Sequence, residues 1–143
     1  MRVVIDTPIW SLSLRRARKA LARTERGLVH ECRDLISAGR VVLLGAVRQE
    51  VLSGIPDDVS FERIRTLLAL HADEPLDRED YEEAARCSNR FRSRGIAGSP
   101  VDCLIVAVAS RREAAVFTTD NDFGKYARLV NVRLHAPPEN PQH

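Results

Sequence analysis

The chain has 143 residues, 44% of them hydrophobic and 29% charged, with 22 Lys and Arg against 20 Asp and Glu. That length and apolar fraction suit one compact domain with its own core, and exclude a disordered chain or a second domain. The longest apolar runs, such as Val101–Ala109, are far too short to cross a bilayer, so no membrane association is expected.

Arg2–Asp6 is a β-branched run ending in a carboxylate and reads as a buried strand. Nothing resembling a secretory signal precedes it, so a cytoplasmic protein is expected. Thr7-Pro8 reads as an N-cap followed by proline at the first helical position. Ala17, Leu21, Leu28, Cys32, Leu35 and Ile36 recur at helical spacing between Arg15 and Ala38, with Gly39 as the stop. Val41–Leu44 is a second strand, and Gly45 opens a short helix ending at Gly54.

Phe61, Ile64, Leu67 and Leu68 mark a third helix ending near His71, and Glu74–Leu76 is a candidate edge strand limited by Pro75. Asp77 caps an acidic helix whose inner face is predicted as Tyr81, Ala84, Ala85, Cys87 and Phe91. After a turn at Gly95–Gly98, Ser99-Pro100 starts a helix whose middle, Cys103–Ala109, is apolar all round and so should be buried. Ala114–Thr118 is a strand, Asn121–Leu129 a short helix and Val130–Leu134 a last strand. The domain is expected to span residues 1–135, and the proline-rich tail 136–143 to be flexible. Strands alternating with helices imply an α/β fold: an open, mainly parallel sheet covered on both faces. Such sheets bind ligands beyond the carboxyl ends of their strands.

The small net charge of +2 hides a division. Residues 1–40 carry a net +5, residues 57–83 a net −7, and residues 84–143 a net +4. Twenty of the basic residues are Arg, which suits bidentate phosphate or carboxylate contacts but is equally a mark of base composition. The three cysteines, Cys32, Cys87 and Cys103, form neither a disulfide framework nor a zinc pattern, in keeping with a reducing compartment.

Several carboxylates fall at or just past the ends of strands. Asp6 follows the first strand, where supporting the next helix is an alternative role. Glu50 lies beside Val51 on the helix after the second strand, and pairing with Arg48 is its alternative. Asp102, in Ser99-Pro100-Val101-Asp102, is placed for a capping box, yet it also starts the buried stripe of Ile105, Val106 and Ala109. Asp120 and Asp122 come just after the next strand, and a turn with an N-cap accounts for only one of them. In a parallel sheet all these acids converge at one edge. Gathering carboxylates without a counterion is costly. An oxygen-only donor set without His or Cys points to Mg²⁺ or Mn²⁺.

The segments Val4-Ile5-Asp6-Thr7-Pro8-Ile9-Trp10, Gln49-Glu50-Val51-Leu52-Ser53-Gly54, Gly98 to Ala107 and Phe117-Thr118-Thr119-Asp120-Asn121-Asp122-Phe123 together resemble the PIN-domain ribonucleases. The resemblance is closest to the VapC-type toxins of toxin–antitoxin pairs. It covers the chain to about Leu134 and implies a five-stranded parallel sheet between helices. It implies catalytic acids Asp6, Glu50, Asp102 and Asp120, with Asp6, Asp102, Asp120 and Asp122 around a Mg²⁺ or Mn²⁺ ion. Thr118 matches a hydroxyl residue beside that site. Pro8 stands where Ser is common, so a hydroxyl contact there would fall to Thr7 or Ser11.

The resemblance further implies hydrolysis of RNA phosphodiesters, a VapB-like antitoxin partner and a homodimer. Arg15, Arg16, Arg18 and Lys19 after the first motif, and Arg90, Arg92 and Arg94 before the third, are candidate phosphate contacts. Solvated helix faces are the alternative for both groups. Trp10 is placed either to stack on a base or to enter the core. A housekeeping RNA-processing nuclease and a catalytically silent metal- or RNA-binding module are the competing readings. A haloacid-dehalogenase-like phosphatase needs an Asp where Pro8 stands. A receiver domain needs a Lys at a strand end, which neither Lys19 nor Lys125 supplies.

Overall fold

The computed structural model describes residues 1–15 and 20–138, and the side chains of all of these but Arg15. In chain order the elements are β1 (Val3–Ile5), α1 (Thr7–Arg15), α2 (Arg23–Ser37), β2 (Val41–Val42), α3 (Gly45–Ser53), α4 (Asp58–Leu68), α5 (Arg78–Ser93), α6 (Pro100–Arg111), β3 (Ala115–Phe117), α7 (Asp122–Leu129) and β4 (Arg133–Leu134). All strand pairings are parallel, in the order β2-β1-β3-β4. The sheet thus has four strands among the described residues, where five were expected. The segment expected as a fifth contributes one parallel bridge, Leu43 to Asp73, with the Glu74 N–H donating to the Leu43 carbonyl at 2.8 Å. Pro75 follows at once, and without an N–H it cannot extend the ladder.

The connection from β1 to β2 and that from β3 to β4 run in opposite directions across the sheet. Right-handed crossovers therefore send their helices to opposite faces. α1 packs on α2, α3 and α4, whereas α5 packs on α6 and α7, and α6 lies directly against β1 and β3. Every residue of β1 and β3 is buried, as is the whole run Cys103–Ala109 of α6. A sheet covered on both faces needs continuous apolar strands, and Val3-Val4-Ile5 and Ala115-Val116-Phe117 supply them.

Several local readings are revised. The helical run expected from Arg15 to Ala38 is realised as α2, Arg23–Ser37, while Ala17 lies outside the described residues. Gly39 follows it with a φ of +67°, and the Arg40 N–H returns to the Leu35 carbonyl, closing the helix end as only a left-handed residue allows. Asp6, rather than Thr7, precedes the first helix, its carbonyl accepting from the Trp10 N–H at 3.3 Å. Trp10 is fully buried and donates its indole N–H to the Ile5 carbonyl at 3.1 Å, so it belongs to the core and is not available to stack on a base.

The inner face of α5 is Asp80, Ala84, Cys87 and Phe91, while Tyr81 and Ala85 face outward. An acid heads this stripe because its charge is fully met. Arg112 grips Asp80 with two nitrogens at 2.7 and 2.9 Å, Arg111 adds a further contact, and the Asp77 N–H donates to it at 3.0 Å. Arg112 also binds Glu74, which pairs with Arg2 at 2.9 Å, so the network ties α5 and α6 to the amino ends of β1 and β3. Chiefly the Arg112 hydrogen bonds hold the Asp80 carboxyl far below the usual carboxylate range.

A lowered folded-state pKa means that the stabilisation from Asp80 is complete above the unfolded value near 4 and is lost as pH falls below it. Replacing Asp80 by Ala removes the shared partner of Arg111 and Arg112, which keep Asp77, Glu79 and Glu74, with an expected loss of about 2 kcal/mol. Urea unfolding at pH 7 measures that loss, and the difference from the parent protein should shrink progressively below pH 4.

Candidate active site

The sheet order reverses between β1 and β3, and the crevice beyond their carboxyl ends is where an open α/β sheet receives its ligand. Ile5 pairs with Phe117, and the Asp6 N–H continues the ladder to the Phe117 carbonyl at 3.0 Å. This register sets Asp6 beside Thr118, whose hydroxyl donates to Asp6 Oδ2 at 2.7 Å, while the Thr7 N–H donates to Oδ1 at 2.8 Å. Asp6 is only 4% exposed.

A cleft of about 660 Å³ opens here, lined by Asp6, Thr7, Pro8, Ala46, Gln49, Glu50, Ser53, Gly54, Val101, Asp102 and Asp120. The four acids predicted to be catalytic therefore share one cavity. Thr7 donates its hydroxyl to Glu50 Oε1 at 2.6 Å, while Pro8 beside it has no hydroxyl to offer. Asp120 accepts the Asp122 N–H at 2.9 Å, and its own N–H is held by Thr118 at 3.0 Å. Asp122 is not among the lining residues. Its half-exposed carboxylate pairs with Lys125 at 3.3 Å.

The capping alternative for Asp102 separates cleanly from its place in the cleft. Ser99 caps α6 by accepting the Asp102 N–H at 3.1 Å, but no reciprocal bond returns from the carboxylate to the Ser99 backbone. The reciprocal box is formed instead at Asp77 and Asp80. The Asp102 carboxylate accepts from the Tyr126 hydroxyl at 2.8 Å. Tyr126 is the site residue that sequence reasoning missed. Three residues after Phe123, it reads as another apolar position of α7. The one available signal is that a buried tyrosine hydroxyl needs a partner, and the sequence does not say which.

Among the described residues no Lys, Arg or His lines this cleft. Arg48, the one candidate neutraliser, points elsewhere, pairing with Asp73 at 2.8 Å and donating to the Leu68 carbonyl at 2.9 Å and to that of His71. His30 sits by Asp34, His135 by Glu31, and His71 against Trp10. Burial, reinforced by the charges of Asp102 and Glu50 and opposed by Thr118 and Thr7, pushes the Asp6 carboxyl up to about 6. Burial also raises Asp102, with Asp120 and Glu50 adding to the rise and Tyr126 and Ser99 opposing it.

Among the described residues no three acids, imidazoles or thiols stand close enough to hold an ion as they are. They share a cleft with room for water between them rather than the tight knot expected. The donor set nevertheless fits a hard divalent cation: carboxylates, hydroxyls and the Gln49 amide, one acid buried and costly to ionise, and no basic side chain among the described lining residues. Mg²⁺ characteristically takes one or two carboxylates and fills its remaining positions with water.

The sequence matches the PIN domain family over residues 3–129. The chain belongs to the PIN-domain family. The VapC ribonuclease Mb1587 of Mycobacterium bovis and ribonuclease VapC11 of Mycobacterium tuberculosis are each 30% identical to it over 136 residues, 92% of this chain and 96% of theirs. Among solved structures, FitAcB from Neisseria gonorrhoeae superposes with a TM-score of 0.72 at 20% identity, covering 94% of this chain and 97% of that one. VapBC2 from Rickettsia felis, bound to a promoter DNA fragment, gives 0.71 at 14% identity, covering 94% and 98%. At these identities the likeness is one of fold.

The candidate basic residues are distributed differently from the acids. Arg16, Arg18 and Lys19 lie outside the described residues, and Arg15 is the last residue of α1. Arg90 donates to the Leu129 carbonyl at 3.0 Å and so ties α5 to the end of α7. Arg92 lines a second cavity of about 300 Å³ with Ser88 and the Gly95–Gly98 loop, and Arg94 is exposed at the end of α5.

A folded pKa near 6 for Asp6, above its unfolded value near 4, means that ionising it costs the native state stability as pH rises through that interval. Asp6→Asn removes the cost and keeps an acceptor for Thr118. In EDTA at pH 7.5 it is expected to stabilise the protein by about 1–3 kcal/mol, with the gain vanishing near pH 4. Thermal unfolding across that pH range measures it.

Proposed function

We propose that the protein is a divalent-metal-dependent endoribonuclease that acts in the cytoplasm as the toxin of a toxin–antitoxin pair. One observation carries this reading: four carboxylates from four separate segments line a single cleft at the sheet's switch point, with no basic side chain among the described lining residues. A stable protein gains nothing from that arrangement, whereas a site that must hold a cation against a polyanion requires it. The VapC relatives bear the name ribonuclease, and the similar folds come from VapBC2 and FitAcB.

Asp6, Asp102 and Asp120 would hold Mg²⁺ or Mn²⁺, with Asp122 a more distant acid. A metal bound there supplies Lewis acidity toward a phosphate oxygen and a bound water of lowered pKa. Thr118 and Thr7 keep Asp6 turned into the cleft, through the contacts at 2.7 and 2.8 Å. Glu50, with Oε1 fixed by Thr7, offers its other oxygen to orient an attacking water. Attack in line with the leaving 3′ oxygen leaves a 5′-phosphate and a 3′-hydroxyl. The substrate's 2′-hydroxyl takes no part, so no imidazole pair is needed.

Basic side chains offset the substrate's charge. Arg92 and Arg94, at the loop that leads into Ser99, and Arg15, Arg16 and Arg18, after the first motif, serve as phosphate contacts. Arg90 is the weaker candidate, since it is engaged with the Leu129 carbonyl. The proposed partners are RNA, a VapB-like antitoxin and a second copy of the chain.

Expression of the protein should arrest growth, and Asp6→Asn or Asp102→Asn should relieve the arrest and lower RNA cleavage in Mg²⁺ or Mn²⁺ by at least about 10²-fold. Folded variants that cleave at the parent rate sink the assignment, and RNA binding without cleavage by the parent protein supports the silent module instead. In the Asp6→Asn background, Arg92→Ala with Arg94→Ala should reduce the slope of log affinity for single-stranded RNA against log salt by about 1, read by fluorescence anisotropy.

A further inference from the structure

Tyr126 is 1% exposed and sits on α7, outside the residues that line the cleft. Its ring stacks on Phe91 of α5 with centroids 4.6 Å apart and planes 22° apart, and meets the edge of Phe123 at 5.1 Å and 74°. The Gly95–Gly98 loop closes over the same rings. A Cβ on Gly98 would lie 3.1 Å from Phe91 and from the Cys103 sulfur and 3.6 Å from Tyr126, so a larger residue there would press on these rings. With the ring held by three elements, the hydroxyl has a fixed position, 2.8 Å from Asp102 Oδ2.

Resting on the metal-nuclease reading, we propose that Tyr126 is a positioning residue that holds the Asp102 carboxylate at one oxygen from the protein side and so orients it toward a cation in the cleft. Asp102 lies in the first turn of α6, where an unheld aspartate has several rotamers and competing local acceptor roles. Thr118 and Thr7 act on Asp6 and Glu50 in the same manner, so three of the four acids are each gripped by a hydroxyl from a different element. Groups that orient metal-binding carboxylates from behind typically matter by 10–100-fold in metal affinity or activity. Here the contact is made by an oxygen on a rigid aromatic stack, whereas the two threonines rely on short side chains.

The test is Mn²⁺ binding without RNA, followed by the paramagnetic signal of the free ion. Tyr126→Phe keeps the ring and its stacking and removes only the hydroxyl. Its Tm should stay within a few degrees of the parent, and its Mn²⁺ affinity should fall about tenfold. In an Asp102→Ala background the same change should cost less than twofold, because the group through which Tyr126 acts is gone. Leu35→Ala, a core truncation on α2 away from Tyr126 and from the cleft, should lower Tm with Mn²⁺ affinity per folded molecule held within about twofold.

Unchanged Mn²⁺ affinity in Tyr126→Phe, or an equal loss with and without Asp102, overturns the positioning role. Loss of affinity in Leu35→Ala matching that of Tyr126→Phe overturns it also, since destabilisation alone would then account for the effect. If the parent protein binds no Mn²⁺, the metal-nuclease reading itself fails, which separates that failure from failure of the role given to Tyr126.

Discussion

The parallel register of β1 against β3 is the constraint on which the site depends. Three residue pairs, Val3 with Ala115, Val4 with Val116 and Ile5 with Phe117, fix where each chain leaves the sheet. Asp6 and Thr118 are the first residues past that pairing, so the register places a hydroxyl against a carboxylate at 2.7 Å. A slip of one residue would turn the apolar side chains of β1 to the wrong faces and carry Asp6 out of the crevice. Burial enforces the register, because all six of these side chains are in the core.

Charge is segregated along the strand direction. At the amino ends of β1 and β3, Arg2 and Arg112 neutralise Glu74, and Arg112 with Arg111 neutralises the buried Asp80. Much of the acidic block at 57–83 is absorbed there and in helix caps such as Asp57 on the Ser60 N–H. At the carboxyl ends the opposite holds, with carboxylates met by hydroxyls and backbone N–H groups but, among the described residues, by no guanidinium. Hydroxyls orient a carboxylate without discharging it, which keeps the cleft attractive to a cation. The near-neutral total of the chain is the sum of these two arrangements.

Most helices of the described residues, and the acids that line the cleft, were legible because they obey local rules. Proline and serine at the start of α6, glycine after α2 and the apolar run 103–109 each act through neighbouring residues. What was illegible depended on partners distant in sequence. Asp80 was left out of the inner face of α5 because Arg111 and Arg112, which let it head that face, come about thirty residues later. Arg90 looked like a phosphate contact because nothing local announces the Leu129 carbonyl. The fifth strand failed at Pro75 for a reason the sequence did contain, the missing N–H.

By itself the sequence determined a parallel α/β chain with acids at strand ends, since periodicity, caps and the order of the four motifs are properties of short segments. Only the tertiary structure decided which groups those acids face. It removed Arg48 from the cleft, put Thr7 on Glu50 and Thr118 on Asp6, and brought Tyr126 to Asp102 from 24 residues away. The physical reason is that a carboxylate's chemistry is set by burial and by donors within about 3 Å, and such distances exist only once the chain has closed on itself.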